Sequence, residues 1–318
     1  MTKIPPMRND PSSDSHMIRE EGSVRLPDGR TLCYAEFGDK DGIPTMLFHG
    51  APGYRLFWTA LPEYPFLPGL RFIAPDRPGY GRSDFKPAMT YADWPDDVTV
   101  LADALSLDQF AVVGVSGGGP GTLACAWRIP ERLCHVAIVS SVGPPVPDIL
   151  EAISPINRKA YHIARRAPWL MRLNMRLLAS LQRRDIDGYL DKMTGKLSAA
   201  DQTALARSYV RDALRAAMSL AATPPGAKGY AQDVINQARP WPFPLGDISL
   251  DVEVWQPEDD TSVPPVVGRY LSRNLPNTRV RFIPGAGHLW HIEHLTTVLR
   301  SIIESPASAR SSQTQTRR

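Results

Sequence analysis

The 318 residues are 43% hydrophobic and 22% charged, with a net charge of +3, a globular balance that fits one large α/β domain or a core carrying an insertion. So mild a charge, with no aromatic-and-basic recognition motif, gives no reason to expect nucleic acid as a partner. Three scattered cysteines, Cys33, Cys125 and Cys134, fit neither a disulfide framework nor a zinc site and make a reducing cytoplasm the default compartment.

Residues 1–21 are polar and charged, without the apolar stretch of a secretory signal, and are expected to be disordered. The chain then opens with a hairpin, Ser23–Leu26 and Leu32–Phe37, turning at Pro27-Asp28-Gly29-Arg30. Short apolar runs follow at Thr45–His49, Leu70–Ala74, Phe110–Val115 and Val136–Ser140. Their lack of strict alternation is how strands covered on both faces of a parallel sheet read. Tyr91–Leu105 and Gly118–Arg128 have helical spacing and supply the crossovers. Such alternation predicts a mostly parallel, doubly wound α/β sheet with right-handed connections.

The alternation stops near Pro144, and a helix-rich stretch runs on to about Ala222. Strands resume at Leu250–Trp255 and Val280–Ile283, with helices near 265–274 and 295–305. The expected organisation is therefore a core of residues 22–144 and 246–304, a helical cap inserted at 145–245, and a disordered tail at 305–318. Residues 151–240 hold 15 Lys and Arg against 7 acids, which predicts either solvated helix faces or a lid whose inner surface favours acidic or carbonyl-rich ligands. No run approaches bilayer-spanning length, so no membrane partner is expected.

The chemistry concentrates at strand ends. In Gly114-Val115-Ser116-Gly117-Gly118 a serine sits on a turn between a strand and a helix, flanked by glycines where a Cβ would collide with neighbouring chain. The N–H groups opening the next helix point where negative charge is favoured. A serine hydroxyl needs a base, and the base an orienting acid. His288, in Pro284-Gly285-Ala286-Gly287-His288 after a strand, has the clearest context of the seven histidines. His291 and His294 read as surface or packing residues, and His49 as structural. Glu258, Asp259 and Asp260 adjoin in the loop after Trp255. Asp260, the last acid before Val263-Pro264, leads, with Asp259 as the alternative. For an oxyanion, the backbone N–H of Gly117 and that of Ala51 in His49-Gly50-Ala51-Pro52-Gly53 are the candidate donors, since Pro52 has none. Tyr54, Phe57 and Trp58, just beyond, are candidate pocket residues. Tyr161, Trp169, Met171, Met175, Tyr189, Met193, Trp241 and Phe243 read mainly as packing within the insertion or against the core.

With GVSGG at 114–118, HGAPG at 49–53, DRPGYGRSD at 76–84, DDTSVP at 259–264 and GAGH at 285–288 in place, the chain resembles capped members of the α/β-hydrolase superfamily from about Ser23 to Ile303. The order Ser, Asp, His is the one that family requires. The resemblance implies acyl chemistry through a covalent acyl-enzyme, with a carboxylic ester of a small molecule as the leading substrate and no metal or organic cofactor. It makes Asp76 structural. Carbon–carbon bond hydrolysis of diketo acids and a proline iminopeptidase-like activity share the triad. A non-catalytic ligand-binding member is the remaining class, and oligomeric state is not indicated. Where many relatives have His-Gly or Gly-Gly after the acid-bearing strand, this chain has Gln256-Pro257.

Overall fold

The computed structural model describes residues 17–60 and 67–304. The hairpin is β1 (Met17–Arg25) and β2 (Thr31–Asp39), paired antiparallel through a turn in which Gly29 takes a φ of 85°. Met17–Glu21, expected within the disordered N-terminal segment, belong to β1. An edge strand needs only its backbone ladder and carries polar residues outward, so no apolar run announces it. Residues 1–16 and the tail 305–318 lie outside the described residues.

Six further strands follow: β3 (Ile43–Phe48), β4 (Leu70–Pro75), β5 (Phe110–Val115), β6 (Leu133–Val139), β7 (Val252–Pro257) and β8 (Thr278–Ile283). They complete an eight-stranded sheet ordered β1-β2-β4-β3-β5-β6-β7-β8, antiparallel at β1 and β2 and parallel from β4 onward. Between strands lie α1 (Trp94–Ala104) and α2 (Gly119–Arg128). Seven helices stand between β6 and β7: α3 (Pro147–Ala152), α4 (Pro155–Arg166), α5 (Pro168–Gln182), α6 (Ile186–Thr194), α7 (Ala199–Leu205), α8 (Ser208–Ala221) and α9 (Pro224–Gln237). The chain ends with α10 (Val266–Asn274) and α11 (Trp290–Ile303).

The inner strands β3–β7 are largely apolar on both sides because both are covered. Met46, Phe48, Phe110 and Val112 pack with α1, α2 and α10, while Leu47, Ala111, Val113 and Val115 pack with α11 and with the seat of the inserted helices. Many of the 31 prolines start helices: α3, α4, α5 and α9 each have Pro at the first turn, where its missing N–H costs nothing and its fixed φ helps. Ser154, Asp185, Ser198 and Thr223 cap α4, α6, α7 and α9 through their side-chain oxygens, worth about 1 kcal/mol each.

Strand order reverses between β3 and β5, so the loops leaving their carboxyl ends diverge and open a crevice there. The loop after β3 begins at His49 and the turn after β5 at Ser116. Tyr54, Phe57 and Trp58, expected as pocket residues, are buried in the core cluster beneath α7 and α8, with Trp58 1% exposed. They form the seat of the insertion. Large aromatics beside a catalytic loop bury most area by packing, and position in sequence alone does not separate a pocket wall from a foundation.

Candidate active site

Ser116 has a φ of 51°, a left-handed conformation that costs a non-glycine residue about 1–3 kcal/mol and persists only where neighbours enforce it. The neighbours here are close. A Cβ on Gly114 would stand 2.1 Å from Thr122 Oγ1, and one on Gly118 would stand 2.2 Å from the Phe48 carbonyl oxygen. The turn is thus wedged between β3 and α2, leaving Ser116 half-buried at the crevice. Its carbonyl accepts from Val142 N–H at 3.3 Å.

His288 Nδ1 and Asp260 Oδ2 are 2.8 Å apart. Asp260 Oδ1 accepts from the N–H groups of Ser262 and Val263, both at 2.8 Å, so the carboxylate is fixed at both oxygens. Asp260 is buried, whereas Glu258 and Asp259 face solvent. Gln256 closes this loop, its amide donating to the carbonyls of Pro257 and Val263. That is what the Gln256-Pro257 variation supplies locally. Burial alone would push the His288 imidazole down, but the charge and hydrogen bond of Asp260, with the charge of Asp201, hold it above its ordinary value. His291 Nδ1 lies 2.9 Å from the His288 carbonyl and, as donor, holds it; Ser140 Oγ lies 3.5 Å from the same oxygen. Burial and the neighbouring imidazolium push His291 down to about 3, so it acts as a neutral donor.

Asp201, on α7, was not singled out by sequence. It is fully buried, accepts from Leu289 N–H at 2.7 Å and from Ser198 Oγ at 2.9 Å, and presses on Gly287. An inserted helix therefore grips the residues on either side of His288.

The loop after β3 is held as tightly. His49 is buried, and its Nε2 accepts from Arg77 N–H at 3.1 Å. Its Nδ1 therefore carries the proton and donates to the Gly50 carbonyl at 2.8 Å. Burial, with the charge of Arg77, holds His49 well below its ordinary value and so neutral. The Gly50 carbonyl also accepts from Arg77 Nη2 at 3.0 Å. The Gly50–Ala51 peptide is trans, so pinning its C=O turns Ala51 N–H the opposite way. Ala51 N lies 3.1 Å from where a Cβ on Gly117 would stand, which brings the two candidate donors side by side. Arg77 in turn pairs both Nη atoms with Asp233 of α9 at 2.8 Å, and Tyr80 donates to the same carboxylate at 2.6 Å. Asp76 is spent on Arg55 and on Arg82 N–H, and is structural.

A cavity of about 40 Å³, room for about three water-sized groups, reaches down to Gly117 between the 77–91 segment and α9. Its walls include Arg77, Tyr91, Trp94 and Gln232. Arg77 Nε, Tyr91 OH, Trp94 Nε1 and Gln232 Oε1 are buried and have no hydrogen-bond partner among the described residues. Each belongs to a side chain more than nine-tenths buried. Of the two readings of the basic insertion, a lid with an inward basic surface is not what lines this cavity: none of the Lys and Arg of α3–α9 does so. Nor does any of the eight aromatic and Met residues read as insertion packing. Met171 is buried against α9, Trp241 and Phe243 stack near Tyr91 and Trp127, and Trp169 faces solvent.

A family model described as the alpha/beta hydrolase fold matches residues 44–295. Among curated relatives, the chain is 37% identical over 129 residues to a non-heme chloroperoxidase of Streptomyces lividans, covering 39% of this chain and 45% of that one. It is 36% identical over 121 residues to a 2-hydroxymuconate semialdehyde hydrolase of Pseudomonas sp. (strain CF600), covering 35% and 42%. The matched part thus spans less than half the length of these relatives. Among solved structures, a hydrolase from Pseudomonas aeruginosa PA01 superposes with a TM-score of 0.67 at 19% identity, over 89% of this chain and 97% of that one. A Thermogutta terrifontis esterase superposes at 0.62 and 23% identity, over 90% and 97%. At such identities these superpositions speak for the fold alone.

Proposed function

Because the chain belongs to the α/β-hydrolase fold family, we propose that it is a serine hydrolase working through an acyl-enzyme on carboxylic esters of small molecules, with residues 145–245 as a helical cap over the site. Ser116 Oγ attacks the ester carbonyl carbon while its proton passes to His288 Nε2, the nitrogen left by the Asp260 hydrogen bond. Ala51 and Gly117 N–H take the oxyanion, the alcohol leaves with the proton from His288, and a water deprotonated by His288 then releases the acid and restores Ser116. The observation that carries this reading is the Asp260–His288 pair at 2.8 Å, in a carboxylate fixed on both oxygens.

Charge in the cavity favours an ester over the alternatives. Arg77 is committed to Asp233 and Lys86 pairs with Asp93 at 3.1 Å, so neither cation is free for a diketo acid carboxylate. Asp233 is committed to Arg77 and Tyr80, so it is not free for the amino group an iminopeptidase holds. Arg77 Nε and Trp94 Nε1 are donors, Gln232 Oε1 is an acceptor, and Tyr91 OH serves as either. These suit a short, uncharged, oxygen-bearing group on the acyl or alcohol side.

The test is turnover of a panel of short hydroxylated esters, long acyl esters, a proline arylamide and a vinylogous diketo acid, alongside labelling by a serine-directed phosphonate. The short esters are expected to lead, with labelling abolished and kcat lowered roughly 10⁶-fold in Ser116→Ala. Faster cleavage of the arylamide or the diketo acid would replace the ester assignment. Absence of both labelling and turnover would leave a ligand-binding protein.

A further inference from the structure

Helix α5 is apolar on two sides. Its inner side buries Met171 and Ala179 against α9 and its neighbours. Its outer side carries Trp169, Leu170, Leu173, Leu177 and Leu181, spaced to form one stripe along the helix. Trp169 is 67% exposed, Leu177 58% and Leu181 59%, and on the neighbouring α4 Ile156 is 74% exposed. A helix apolar all round is normally covered, and a contiguous exposed stripe of this kind marks an interaction surface.

The charges beside it identify the occupant. Residues 155–184 contain eight Lys and Arg and no acid, between Glu151 and Asp185. None of the eight is ion-paired among the described residues. Arg165, Arg166, Arg176, Arg183 and Arg184 are exposed around the stripe. Two-fold pairing of this face with a second copy would set these cations against one another without a counter-charge. A single outward helix face has no groove to seat a peptide. Tryptophan and leucines on one side with arginines beside them is what an interfacial helix presents to a bilayer with an anionic surface.

We propose that the outer face of α4 and α5 docks the protein on anionic lipid surfaces, lying in the headgroup region with the leucine stripe inserted and the arginines on lipid phosphates. Among the described residues no helix is long and apolar enough to cross a membrane, so the association is peripheral and reversible. It goes beyond the expectation of no membrane partner, which rested on the lack of a spanning segment. A stripe interrupted by arginines does not register as an apolar run.

The experiment is co-flotation of the full chain with vesicles of phosphatidylcholine alone and with a third of phosphatidylglycerol. Binding to the anionic vesicles is expected, weakening as salt is raised. Two variants should each reduce it at least about tenfold, Leu173→Asp/Leu177→Asp by removing insertion and Arg165→Glu/Arg176→Glu by removing charge. Both residue pairs lie outside the site, so hydrolysis of a soluble ester should be unchanged and reports that each variant is folded. Equal flotation with both vesicles, or none with either, overturns the proposal. So does a wild-type dimer in light scattering that Leu173→Asp/Leu177→Asp converts to monomer, which would assign the face to a second copy. Binding to polyglutamate without flotation would assign it to an acidic polypeptide.

Discussion

The peptide joining Gly50 to Ala51 is governed by its carbonyl, which two donors from behind the site hold in place. In the proposed mechanism the Ala51 N–H that takes the oxyanion is thereby aimed before substrate arrives, with no reorganisation needed during the reaction. On the other side, Asp260 and Asp259 are adjacent in sequence but not in role. Asp260→Asn should lower kcat by roughly 10⁴ while leaving the backbone in place, and Asp259→Asn, at an exposed position, should stay near wild type; the reverse result would move the acid by one residue. The pH profile is a finer probe. As the proposed base His288 must be neutral to accept the serine proton, so its raised pKa should put the acid limb of kcat/KM above the ordinary histidine value of 6.5. Asp201→Asn removes one of the charges that stabilises the imidazolium, so the limb should move to lower pH. A loss of activity with no shift of the limb would mean that Asp201 acts through structure alone.

At the scale of elements, the strand–turn–helix unit around Ser116 depends on closeness that tolerates no added methyl group at Gly118. Gly118→Ala should force β3 and α2 apart, at a cost of about 1–3 kcal/mol or more, read as a lower urea midpoint together with lost turnover. Both the unit and its neighbours were legible in sequence. β5 was expected over the residues it occupies, and β3, β4, β6, β7 and β8 fell within a few residues of expectation. For the inner strands β3–β7 the reason is that strands covered on both faces must be largely apolar, while the edge strand β8 was marked by its β-branched and aromatic residues alone. The parts that escaped notice had weaker signals. α11 begins at Trp290, five residues before its expected start, since Trp, His and Glu in its first turn carry little helical periodicity. Ser116 and His288 could be proposed from glycine-rich turns after strands, and Asp260 from its place as the last acid before Val263-Pro264 in the loop after β7. Asp201 and Asp233 could not, because each is an ordinary polar residue on an inserted helix whose partner lies far along the chain.

Over the whole molecule, the insertion is attached to the core at both halves of the site, through Asp201 beside His288 and through Asp233 on Arg77. The second link is a buried ion pair, and Asp233→Leu alone should cost about 3–5 kcal/mol by leaving the Arg77 charge uncompensated. The double change Arg77→Met/Asp233→Leu should recover much of that in urea unfolding. It should not recover turnover, because the Gly50 carbonyl has then lost its guanidinium donor. Stability and activity that returned together would show that the oxyanion loop does not depend on Arg77.

Gly79 and Gly229 bring the 76–84 loop and α9 into backbone contact, with a Cβ on Gly79 only 2.9 Å from the Gly229 Cα. A chimera that exchanged the entire insertion for a relative's would therefore have to match that seam and both tethers at once. Splice points after α8 would leave α9 with its recipient, and the donated helices would need an aspartate at the place of Asp201 together with apolar faces that fit α9 and the seat at Tyr54, Phe57 and Trp58. The cavity beside Gly117 is lined from α9 and not from α4–α8, so an exchange of α4–α8 would leave its walls in place, and α9 would travel with the candidate site.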